Sequence, residues 1–200
     1  MNFRIVDNST PALAEYKAMV GSVNRAVSTM LARESAMLAN NIKGGLVDQR
    51  PGGIPIKPIS RTTIILRGIR TKGGGAPGTK ALIDSASMVN AVRSRKESQF
   101  HYTAGVHRNA RAKNGGRLAN LAAIHEYGTR NYTITVTEKM RRFSFILMSV
   151  GILSAPWRVG QKLKKKIDAR PWLNPAHEQW EKGADERFTS GLAAILGVSM

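Results

Sequence analysis

The chain predicts an α+β fold, with long helices at its N- and C-terminal ends packed on a mainly antiparallel sheet and long basic loops between them. Three observations predict it. Apolar residues recur at helical spacing over 13–38 and again over 180–195. The segments between alternate apolar and polar residues as strands do. A hydrophobic content of 42% in 200 residues is enough for one packed core. The expected organisation is a single domain over 1–200, with an extended arm or loop at 44–80.

A short strand is expected at Phe3–Val6, followed by Asn8, Ser9 and Thr10 as N-cap candidates ahead of Pro11. Leu13, Tyr16, Val20, Val23, Val27, Met30 and Met37/Leu38 then recur at spacings of three, four and seven, one apolar stripe on a long helix. Asn40–Gly45 offers C-cap chemistry for its end. The prolines and glycines of 44–60 disfavour both helix and central strand, which predicts an arm or loop. RTTIILRGIR at 61–70 is β-branched and strand-like, and KGGGAPG at 72–78 reads as a flexible loop, so that a long basic hairpin is expected here.

ALIDSASMVNAVRSR at 81–95 begins as a helical turn and runs into a strand. QFHYTAGVH then alternates Phe100, Tyr102, Ala104 and Val106 as a half-buried strand. RNARAKNGGR at 108–117 reads as a mobile basic loop, LANLAAIHEYG as a short helix closing at Gly128, and NYTITVT as a strand. EKMRRFSFILMSVGIL fits helix by Met140, Phe143, Leu147 and Val150, and its apolar run also fits a strand. Asn174 as N-cap and Pro175 at the first helical position open a C-terminal helix whose stripe runs through Trp180, Ala184, Phe188, Leu192 and Ile195, to about Leu196.

Charge is the outstanding bulk property: 31 Lys and Arg against 13 Asp and Glu give +18. Fifteen basic and three acidic residues fall in 43–117, and nine and one in 139–170. Such concentration favours contact with polyanions or acidic proteins. Arg108, Arg111, Lys113 and Arg117 crowd one loop, and Lys162, Lys164, Lys165 and Lys166 another; these eight are the expected partner or DNA contacts. No RNA-recognition or helix-turn-helix signature accompanies them, so sequence-specific readout is not expected. The N-terminus has no basic flank before an apolar stretch, and no run approaches the roughly 20 apolar residues of a membrane span, so a soluble chain made in the cytoplasm is expected. The absence of Cys removes disulfides and thiolate metal sites.

His125 beside Glu126 invites an enzymatic reading, but a zinc protease of the HExxH kind needs a second His at position 129, which is Thr. The glycine clusters at 73–75 and 115–116 do not continue as GxxxxGK[ST], and no Ser lies in a GxSxG setting. No catalytic, cofactor-binding or metal-ligating residue is therefore expected. His125 and Glu126 instead suit hydrogen bonding to backbone or capping of neighbouring elements, with Tyr127 packing and Gly128 at positive φ.

KALIDSASMVNAV at 80–92, AAIHEYGT at 122–129, ITVTEKMRRF at 134–143 and IDARPWLNPA at 167–176 follow one another in an order and spacing that resembles the tailed-bacteriophage virion-morphogenesis family of minor tail and tail-completion proteins. Ser85 and Ala86 stand where that family usually has Thr-Gly, Tyr127 and Trp172 where it has Phe, and Asp168-Ala169 where it has Pro-Ala. The resemblance covers about 80–196. It implies a non-enzymatic virion protein of the neck or tail. Such a subunit forms a homo-oligomeric ring, hexameric or twelvefold, between a head connector or stopper protein and a tail tube or tail terminator protein, with nonspecific DNA contact at most. It further implies a structural corner at His125, Glu126, Tyr127 and Gly128 and a second anchor at Arg170, Pro171, Trp172 and Leu173. The alternative from a different class is a nonspecific nucleic-acid-binding protein that grips a backbone with its basic loops.

Overall fold

The computed structural model describes residues 9–70, 78–81, 86–112 and 115–198. The expected strand at Phe3–Val6 and most of the loop at 72–78 lie outside them. The first helix, α1, spans Ser9–Asp48 and so passes through the Gly44-Gly45 pair that its sequence offered as a terminator. Its end is a Schellman arrangement: Gln49 takes φ 60, Gln49 N–H donates to Leu46 O at 3.3 Å and Arg50 N–H to Gly45 O at 2.8 Å. Gln49 meets that backbone cost by locking its side-chain amide to both backbone groups of Ala81. Gly45 serves close packing, because a Cβ there would lie 2.6 Å from Pro51 Cα.

Of the expected arm or loop at 44–60, residues 44–48 instead finish α1, while 54–60 run without regular secondary structure. After α1 a single 3-10 turn at Pro51–Gly53 packs on the C-terminal half of the chain, and Pro51 and Ile56 are buried. RTTIILRGIR is likewise not a strand: α2 spans Arg61–Arg70, and the expected basic hairpin does not form from it. Ser60 Oγ accepts from Thr63 N–H at 3.3 Å, an N-cap contact that outweighs β-branched propensity where no neighbouring strand is available. Arg67, buried on α2, donates to the carbonyls of Gly78 and Lys80.

A short helix α3 at Ser87–Ala91 leads into β1 at Val92–Ser98, which pairs antiparallel with β2 at His101–Val106. This hairpin lies along α1: Ser94 meets Ser35 at 2.7 Å and Tyr102 meets Ser28 at 3.1 Å through their hydroxyls, so its tip points toward the N-terminal end of α1. α4 at Leu118–Tyr127 follows, then β3 at Tyr132–Thr135, α5 at Glu138–Ser149 and β4 at Lys162–Lys165. β3 and β4 form a second antiparallel ladder, so the strand pairing is antiparallel as expected but divided between two small sheets. The ambiguity at 138–149 resolves as helix, with Thr137 Oγ1 accepting from Met140 N–H and Glu138 in the first turn. α5 rests on its own following loop through Trp157 N–H to Ser144 Oγ at 2.9 Å, which leaves Phe143, Phe145, Ile146 and Met148 exposed.

The expected single C-terminal helix is two helices, α6 at Leu173–Glu181 and α7 at Ala184–Leu196, broken at Gly183 with φ 76. The break turns α7 back along α1. Glu34, only 5% exposed, takes hydrogen bonds from Trp180 Nε1 at 3.0 Å and Arg187 Nη2 at 3.2 Å, and Gly191 abuts Met30. α7 thus runs antiparallel to α1. The main core joins α1, the turn after it, α3, β1 and α6 through Ala39, Ile42, Leu46, Ile56, Ala81, Met88, Val92, Trp172 and Ala176.

Candidate functional site

The two motif segments farthest apart in the second half of the chain meet at one corner. Glu126, on the last turn of α4 and 4% exposed, aims its carboxylate at the start of α6. It accepts from Trp172 N–H at 2.8 Å, Leu173 N–H at 2.9 Å and Asn174 N–H at 2.9 Å. Pro175 has no N–H, so one carboxylate takes every free donor at the opening of this helix up to the proline, and its charge faces the positive end of the helix dipole. Asn174 is therefore not the N-cap that local pattern suggested; it lies inside α6, and the cap comes from 46 residues upstream of Trp172.

Backbone bonds close the rest of the corner. Arg170 N–H donates to His125 O at 2.6 Å, Thr129 N–H to Ile167 O at 2.9 Å, and Ile167 N–H to Thr129 Oγ1 at 2.9 Å. Gly128 ends α4 at φ 72, where a Cβ would stand 2.7 Å from Ile167 O and 2.8 Å from Ala169 N. Only glycine fits so close an approach at that φ. Arg170 Nε reaches Lys57 O at 3.2 Å, and Lys57 Nζ pairs with Asp168 at 2.8 Å. Trp172 is 1% exposed in the main core, with Leu173 against its edge and Pro171 outside. Tyr127, expected to pack, is 72% exposed, because the helical turn that directs Glu126 inward directs its neighbour outward.

Burial, and then the nearby Arg170 cation, hold the His125 imidazole below its ordinary pKa. Its Nδ1 is buried with no hydrogen-bond partner among the described residues. Between the lowered folded value and the unfolded value of about 6.5, the unfolded chain carries a proton that the folded chain does not. Stability is thus full above about pH 6.5 and falls as pH drops below it. The Asp168 carboxyl, lowered by its Lys57 hydrogen bond and charge, stays ionised throughout this window. Thermal melts from pH 7 to pH 5 should show a decline that His125→Gln flattens; an unchanged slope in the variant would remove His125 as its cause.

The basic residues divide between two places. Arg108, Arg111 and Arg117 are exposed around a turn closed by an Arg111–Arg117 bridge, with Arg111 Nη1 donating to Gly115 O at 3.1 Å; Lys113 lies outside the described residues. Lys162, Lys164 and Lys165 are on strand β4 rather than a loop, with Lys166 just after it, and all four are exposed. Lys165 Nζ sits 5.7 Å from the centre of the Trp157 ring.

Sequence reading missed Arg93 and Arg95, which share a face of β1 by its two-residue period. With His107 and Arg111 they border an open cleft of about 890 Å³ floored by Val106, Leu118 and Leu173. His107 Nε2 contacts the Arg95 guanidinium. The alternation of Arg93 and Arg95 was visible in the sequence, but only the hairpin register places it opposite Thr103 and Gly105. Among the described residues, no group of three or more His, Asp or Glu is arranged to hold a metal ion, and no helix is long and apolar enough to cross a membrane. Compared with known proteins, the chain matches no family model, no curated protein and no solved structure.

Proposed function

We propose that this chain is a structural virion protein of a tailed-phage neck, a ring subunit that joins the head connector to the tail tube in the manner of a tail-completion or tail-terminator protein. The observation that carries this reading is the corner itself. AAIHEYGT and IDARPWLNPA, two of the segments on which the resemblance rests, are bound into one unit by Glu126 and the 167–170 backbone. Segments that keep a fixed order and also complete one another's hydrogen bonds make a scaffold, and the scaffold carries basic surfaces outward. Apolar side chains left uncovered on α1 and α5 support a role as a subunit, since two separate sticky surfaces suit contacts with neighbouring copies and adjoining rings. The basic turn at 108–117 then clasps acidic faces of the adjoining ring, with nonspecific DNA contact secondary and steeply salt-dependent.

Replacing Arg108, Arg111, Lys113 and Arg117 together with Ser should impair head-to-tail joining, and electron microscopy should show full heads beside free tails. Normal joining, together with loss of tight, sequence-independent binding to DNA or RNA, would replace the neck reading with the nucleic-acid one.

A further inference from the structure

We infer that the apolar stripe on the first four turns of α1 is covered by the α1 stripe of a second copy of this chain. Every residue from Thr10 to Val20 is exposed, so α1 runs on well past the elements that pack against it. Leu13, Tyr16, Met19, Val20 and Val23 are 53%, 59%, 58%, 37% and 37% exposed. Leu13, Tyr16, Val20, Val23, Val27 and Met30 follow the three-four alternation of a heptad, the spacing by which one helix seats another knobs-into-holes.

The lower end of this seam already holds a helix. Met30 is buried against α7, and Ala26 just above it is 1% exposed. α7 runs antiparallel to α1 and ends at Leu196, while α1 carries the same seam onward without a partner. Ile195 and Val198, 47% and 58% exposed where α7 stops, extend the uncovered surface.

Charge permits a like partner. With Leu13 and Val20 at heptad position a, the flanking e and g positions are Ala12, Lys17, Met19 and Asn24. A parallel copy sets Ala12 beside Lys17 and Met19 beside Asn24, with no like charges opposed. Leu13, Tyr16, Met19, Val20 and Val23 thus leave a continuous run of uncovered apolar side chains on one helix, the kind of exposed surface that marks a protein–protein contact. The inference rests only on the homo-oligomeric part of the neck reading. A chain that joins heads to tails while monomeric would sink it and leave the head–tail role standing.

The test is the solution mass of the full chain at micromolar concentration, by sedimentation equilibrium, with circular dichroism to check the fold. The wild-type chain should weigh at least twice its 21.8 kDa. L13E combined with V20E should reduce the mass to that of one chain, whereas A18E, a charge placed off the seam on the same turns, should leave the oligomer whole. A wild-type monomer would overturn the inference. So would an unchanged mass in the L13E/V20E variant, or dissociation by F143E with I146E on α5 but not by changes on α1.

Discussion

Glu126→Ala should lower the stability of the folded chain by about 3–4 kcal/mol, as read by urea denaturation at pH 7. Three backbone N–H groups lose a shared charged acceptor, and the Trp172 N–H among them is buried, where water is not a ready substitute. The loss is larger than that of an ordinary N-cap, worth about 1 kcal/mol, because a single side chain does the work of several. Glu126→Gln should fall between the two, since its amide keeps one acceptor oxygen and turns a donor NH2 toward backbone donors. For a chain of this length the Ala variant should melt roughly 10 °C lower. A change under about 1 kcal/mol would mean that Glu126 fills space at this corner without holding it.

That corner also shows how far local pattern carries. The sequence names both of its segments, expects His125 and Glu126 to hydrogen-bond backbone or cap neighbouring elements, and places Gly128 at positive φ, because the missing second ligand and the helix-ending glycine are local facts. Glu126 does cap, whereas His125 Nδ1 is buried without a partner among the described residues and His125 joins the corner through its backbone carbonyl. It could not say which helix Glu126 caps. The nearest polar residue to the start of α6 is Asn174, and a pattern of caps finds the neighbour in sequence, whereas the bond comes from across the fold. α2 shows the same limit: Thr62, Thr63, Ile64 and Ile65 favour a strand only if another strand lies beside them, and Ser60 capped a helix first. Gly183 interrupts an apolar stripe that is continuous on paper, since Trp180 and Phe188 keep helical spacing across a break in the backbone.

The α1 stripe was legible in full, but its burial was not. Periodicity says that Leu13 through Met30 share a face; it does not say that the core lies farther along, at Ala39, Ile42 and Leu46, or that the first part of the stripe faces outward. The β1–β2 hairpin was read correctly at its second strand from Tyr102, Ala104 and Val106, whose alternation half-burial against one helix preserves, but Phe100, expected in the same alternation, lies in the turn before the strand and is 49% exposed.

Trp172→Ala should be the most damaging single change in the core, at about 3–5 kcal/mol. The indole is the largest fully buried side chain, and it sits where α6 meets α1, the turn after it, α3 and β1. Truncation leaves a cavity in the cluster that also holds Ile42, Leu46, Met88 and Val92, and backbone held by Glu126 has little freedom to collapse into it. Trp172→Phe is the discriminating companion. The indole Nε1 is buried without a hydrogen-bond partner among the described residues, so an all-carbon ring forfeits no bond and loses only volume. Its cost should stay near 1–2 kcal/mol, well under half that of the Ala variant. Equilibrium urea denaturation of the two variants beside wild type reads this ratio directly. If Phe proves as damaging as Ala, the indole nitrogen is bonded in solution and the corner is held by more than packing and the Glu126 carboxylate.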